Sequence, residues 1–161
     1  MKFRLVILVV LDIVSLCFYN HAFAECIDSS SSVDPPSHSE IYSRNHDVRH
    51  FNGDPPSVAK DQLALWKTED GSDCFALHTS GPNYHGCFIS GRLSANASEF
   101  ILPNKSCSLR FEERANSVRL LPSSGWERMG QRGTCSRSFC GLFGAIESGT
   151  FHRDTKWEGY P

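Results

Sequence analysis

The residues whose types and spacing can do chemistry here are six cysteines, six histidines and one serine-glycine turn. The cysteines are Cys26, Cys74, Cys87, Cys107, Cys135 and Cys140; the seventh, Cys17, falls in an N-terminal stretch that reads as an export signal. Lys2 and Arg4 form its charged start, Phe3 to Phe18 is largely apolar, and Ala22-Phe23-Ala24 is a small-x-small cleavage site before Glu25. Residues 1–24 are thus expected to be removed and to send the protein to the periplasm or outside the cell. Asp12 and the polar Tyr19-Asn20-His21 make the stretch too short and too polar for a lasting anchor, so no membrane insertion is expected after cleavage. An even cysteine set in an oxidising compartment indicates disulfides rather than metal or redox chemistry.

The shortest pairings are Cys74 with Cys87 across a hairpin and Cys135 with Cys140 around a local loop, which leaves Cys26 for Cys107. Closing a loop of the hairpin's size is worth on the order of 3 kcal/mol. Other pairings remain open to six cysteines.

Catalytic motifs are sparse. The sequence has no Gly-x-x-x-x-Gly-Lys phosphate loop, no Gly-x-Ser-x-Gly elbow and no His-Glu-x-x-His. His78, with Asp73 and Ser80 nearby in sequence, is one nucleophile system to consider, and His85 or His152 could serve as a base with a carboxylate. The plainer reading makes His78 and His85 polar strand residues beside a turn. Glu112 and Glu113 are adjacent, so a strand would point them to opposite faces and they could not flank one bond. His46 and His50 have helical i, i+4 spacing, and with His38 they raise the question of metal, yet no further ligand pattern accompanies them. No metal and no cofactor is expected.

These groups must be positioned by a small domain. Residues 25–60 are rich in Ser, Pro, His and Asp, with Pro35-Pro36 and Pro55-Pro56 and few aliphatic side chains, and are expected to form a flexible leader. Residues 61–161 are expected to be one disulfide-bonded β domain. At its start, Ala59, Leu63 and Trp66 are spaced for one helical face, with Ser57 placed to cap a short helix running to Lys67. After that the period becomes two. Phe75 and Leu77, Cys87 and Ile89, and Cys107, Leu109 and Phe111 alternate with polar or small neighbours. Turn residues separate the runs at Ser80-Gly81-Pro82-Asn83, Pro103-Asn104-Lys105, Ala115-Asn116 and Pro122-Ser123-Ser124-Gly125. Further strands are expected around Ala145-Ile146 and Thr150-Phe151-His152. The fold class is therefore all-β: an antiparallel meander of about seven or eight strands closing into a barrel or sandwich.

The turn carries a motif of its own, Ser80-Gly81-Pro82-Asn83-Tyr84, which fits Ser-Gly-x-x-Tyr. It resembles the loop of the periplasmic lysozyme inhibitors, small disulfide-bonded β-barrels. That resemblance implies a turn inserted into a hydrolase cleft, with Ser80 hydrogen-bonding catalytic carboxylates and Gly81 and Tyr84 shaping the tip. The family's basic residue from a neighbouring loop has no assignable counterpart, and here the motif lies between two cysteines.

Charge narrows the partners. Residues 61–161 carry eleven acidic and eleven basic side chains, without the basic excess that nucleic acid demands. The expected function is that of an exported envelope protein that binds a protein partner, and the resemblance implies one of the lysozyme-like class. A small secreted hydrolase using His78 or His85 is the alternative, followed by a structural or host-directed factor. Asn96 and Asn104 stand in sequons that matter only if the chain is made in an endoplasmic reticulum.

Overall fold

Alternating burial along short runs, broken by turn residues, produces an all-β chain in the computed structural model. It describes residues 26, 33–48, 50, 53–81, 85–94, 99–101, 107–123, 126, 135, 139–140 and 146–159. The strands are β1 (Glu40–Val48), β2 (Ser57–Lys67), β3 (Asp73–Ser80), β4 (Gly86–Arg92), β5 (Glu99–Ile101), β6 (Ser108–Arg114), β7 (Ser117–Pro122) and β8 (Gly149–Asp154). They form one sheet in the order β4-β3-β2-β1-β8-β7-β6-β5, with every ladder antiparallel.

An isolated bridge, Ser94 with Glu99, joins the two outermost strands. The sheet thereby becomes a nearly closed up-and-down barrel in which each strand neighbours the next and β8 returns beside β1. Eight strands leave an interior that side chains can fill. Phe75 stands at its centre, with ring centroids 5.0 Å from both Phe100 and Phe111. Trp126 is fully buried against Phe139 and donates its indole N–H to the Ser108 carbonyl at 3.0 Å.

Residues 57–67 are a strand, not the expected helix. From Asp61 to Trp66 every residue is buried, because both faces of β2 are covered. Leu63 and Leu65 belong to the barrel interior, whereas Ala64 and Trp66 pack outside against Cys74, Ala76, Cys26 and Trp157. A strand covered on both sides reads as a continuous apolar run, so its period of two is hidden.

The expected flexible leader of residues 25–60 is corrected too. Residues 40–48 form β1, a central strand paired along its whole length with β2 and in part with β8. Its inward side chains include Tyr42 and Arg44, and the arginine's charge is met by Asp61 inside the barrel. Pairing on both sides supplies what its sparse aliphatic content cannot. The segment expected as a strand at Ala145-Ile146 is irregular at Ile146, which is buried; Ala145 and the turn at 103–105 lie outside the described residues, as do residues 1–24.

The disulfides are Cys26–Cys74, Cys87–Cys140 and Cys107–Cys135, with Cα–Cα separations of 5.4, 4.1 and 5.7 Å. All six cysteines are paired, but none of the three shortest-loop pairings forms. Cys74 aligns with Arg92 and Cys87 with Thr79, so five residues, roughly 17 Å of strand, separate the two along the hairpin. They also face opposite sides, Cys74 outward and Cys87 into the core. Three disulfides fit an oxidising, extracellular setting. Among the described residues no helix is long and apolar enough to cross a membrane.

Tyr42 supplies a spectroscopic check on this barrel. Burial first, and then its hydrogen bond to Glu40 at 2.7 Å, raise its phenol from 10.0 to about 12. The folded state therefore holds a proton that the unfolded chain has lost between those values, and stability falls as pH rises through that window. Alkaline absorbance titration should show one of the three tyrosines that remain after removal of residues 1–24 ionising late. All of them titrating together would contradict this placement.

Candidate binding site

β1, β3, β5 and β7 all run toward one end of the barrel, and there the ladder between β2 and β3 stops at Gln62 with His78. Beyond that point Ser80, the last residue of β3, needs other partners for its backbone. Its N–H donates to Asp61 Oδ1 at 2.8 Å, and its carbonyl accepts from His46 Nε2 at 2.9 Å. Asp61 is 0% exposed. Its other oxygen accepts from Arg44 Nε at 2.8 Å and lies 3.5 Å from His46 Nδ1.

Arg44 in turn stacks over Phe151, 4.8 Å from the ring centroid, and donates to the Ser148 carbonyl at 3.1 Å. A Cβ at position 149 would overlap its guanidinium, so Gly149 leaves the space that Arg44 occupies. The turn beyond Ser80 closes with the Gly81 N–H donating to the His85 carbonyl at 2.6 Å. On the far strand Cys87 is bonded to Cys140. The base of the β3–β4 turn is thus fixed by a buried polar network on one side and a disulfide on the other. Both backbone groups of Ser80 are engaged, while its hydroxyl makes no hydrogen bond among the described residues. Tyr84, with Pro82 and Asn83, lies outside them.

The cluster of His78, Asp73 and Ser80 is not assembled. Asp73 stands at the opposite end of β3, bonded to Lys67, and His78 stacks on Phe88 at 4.5 Å with an interplanar angle of 8°. Burial keeps the His78 imidazole below the ordinary histidine value, opposed by the nearby Asp61 charge. His152 is exposed on β8. Glu112 and Glu113 do face opposite ways: Glu112 meets Arg110 and Arg119 outside, and Glu113 turns to the other barrel mouth.

The acid, imidazole and serine that the fold does bring together are Asp61, His46 and Ser80. His46 meets the Ser80 carbonyl rather than its hydroxyl, which makes the set a brace and not an activated nucleophile. Sequence reading missed Arg44 and Asp61, and weighed His46 only as a metal ligand. Their available signal was the alternation Arg44-x-His46, together with a lone carboxylate next to the apolar run 63–66. His50 bonds Ser57 at 2.9 Å, and among the described residues no group of three or more His, Cys, Asp and Glu is placed to hold a metal ion.

Beside the turn, on the outer wall, lies a pocket of about 210 Å³ lined by Val48, Val58, Ala59, His78, Ser80 and Gly81. A C-terminal strap forms its remaining wall through Glu158 and Gly159. The strap is tied to β2: Gln62 donates to the Lys156 carbonyl at 2.9 Å and accepts from the Glu158 N–H at 3.0 Å. Lys60 reaches Asp154 at 3.0 Å and Glu158 at 3.1 Å. The Ser43 hydroxyl, then Lys60, hold Asp154 down at about 2.

The fold and site together define a disulfide-stapled, nearly closed eight-stranded barrel with a braced turn at one mouth. Comparison with protein families, with curated proteins and with solved structures gave no match.

Proposed function

We propose that this is an exported binding protein that docks the β3–β4 turn into the cleft of a protein partner, with lysozyme-like peptidoglycan hydrolases as the target class. The observation that supports this reading is the bracing of Ser80. Its N–H and carbonyl are held by Asp61 and His46, and among the described residues nothing binds its hydroxyl. A turn whose base is held before docking loses less conformational freedom on binding, so a small contact area can yield useful affinity. The Ser-Gly-x-x-Tyr motif adds the target class, because a serine hydroxyl where the turn begins suits paired carboxylates in a groove.

The test is a titration of the oxidised protein against c-type, g-type and i-type lysozymes. Inhibition is expected for at least one, and Ser80→Ala should weaken it by about 10- to 100-fold, the worth of a hydrogen bond to a charged group. Tyr84→Ala should weaken it as well. Absence of inhibition at micromolar protein would rule out these targets. Inhibition unchanged in Ser80→Ala would rule out the turn.

A further inference from the structure

We infer that the pocket beside the turn is a socket for one uncharged apolar side chain of the same protein partner, a proposal that rests on the turn-docking reading and extends it. Three observations lead there.

The first is continuity. Ser80 and Gly81, which begin the turn, are also pocket lining, so anything held by the turn lies against the opening. The second is the chemistry of the walls. Most polar side chains around the pocket are already engaged: Lys60 with Asp154 and Glu158, Gln62 with the strap backbone at both ends of its amide, and His50 with Ser57. What is offered inward is the aliphatic surface of Val48, Val58 and Ala59 and the ring of His78. A charged group entering would lose its water with little in return, whereas an apolar group would lose nothing by it. The third is the rim. Val58 is 70% exposed, a large aliphatic side chain standing in water at the mouth, and a binding event that covers it gains by doing so. A pocket of about 210 Å³ suits a single leucine- or phenylalanine-sized group rather than an extended ligand.

The experiment uses the full oxidised protein and two probes, N-acetyl-phenylalaninamide and N-acetyl-lysinamide, followed by amide NMR. The phenylalanine probe should shift Val58, Ser80 and Gly81 saturably at concentrations of roughly 10 mM, as expected for a fragment of that size. The lysine probe should leave them in place, and Val58→Lys, at an exposed position that does not threaten folding, should abolish the response. Equal shifts with both probes, or none with either, would overturn the socket. A small apolar molecule retained through purification and seen in native mass spectra would assign the pocket to a free ligand, and would also overturn it.

The lysozyme titration separates the two readings. Val58→Lys should weaken inhibition about tenfold, the worth of one buried valine-sized contact. Loss of inhibition in Ser80→Ala with none in Val58→Lys would leave the turn standing and remove the socket. A saturable phenylalanine response without inhibition of any lysozyme would keep the socket and discard the target class.

Discussion

Asp61→Ala should destabilise the protein by about 3–5 kcal/mol, the usual cost of removing one member of a buried ion pair. The carboxylate is fully buried and holds three elements together: Arg44 on β1, the Ser80 backbone on β3 and, through Arg44, the Ser148 carbonyl ahead of β8. Alanine would leave a guanidinium largely out of water without its counter-charge, and the Ser80 N–H without its acceptor. The double variant Arg44→Leu/Asp61→Leu removes both charges, and should be more stable than Asp61→Ala by at least about 2 kcal/mol. Urea unfolding of the two variants against the parent measures this. A loss under about 1 kcal/mol for Asp61→Ala would mean that the network contributes little. Amide exchange at Ser80 supplies a local readout, since its protection should fall in both variants while the rest of β3 stays protected in the double.

Cys87→Ala/Cys140→Ala should cost about 4 kcal/mol. The bond closes a sequence separation of 53 residues, and the chain-entropy estimate for a loop of that size gives this value. Cys87 is also fully buried, and it bridges backbone to backbone with Cys140 at the seam beside β4. Elsewhere neighbouring strands share continuous ladders, whereas among the described residues the chain leaving β4 meets the start of β5 through one isolated bridge, Ser94 with Glu99. Loss of the bond should therefore open the barrel there before other ladders yield, with the amides of β4 and β5 exchanging faster than those of β1 and β2. Denaturation showing a loss below about 1 kcal/mol, or uniform exchange across the sheet, would contradict that role.

The β class was legible because Leu109 and Phe111 on β6, and Val118 and Leu120 on β7, alternate with exposed or half-buried neighbours. β2 was not, since covering both of its faces erased the alternation that marks a strand. β1 was hidden for a different reason: its inward positions include an arginine and a histidine, which look like linker composition until Asp61 is known to face them. The cysteine pairs depend on which side of a strand each thiol faces and on its neighbour across the barrel. Sequence distance carries neither, so the short-loop rule pairs Cys74 with Cys87 although the two face opposite ways. Ser80 could be singled out from its turn, but the residues that brace it come from β1 and β2, distant in sequence and brought together only by closure of the sheet.

Because β8 lies beside β1 and the two are antiparallel, the chain comes into the barrel at Glu40 and leaves it at Asp154 at the same end. The β3–β4 turn stands at the other. The Cys26–Cys74 bond fastens the segment before β1 near the start of β3, again away from the turn. The molecule is therefore polar in the mechanical sense, with an attachment end and a presenting end. A protein tethered through its N-terminal segment to a surface, a resin or a carrier would hold Ser80 outward, and immobilisation by that route is the orientation in which binding assays should succeed.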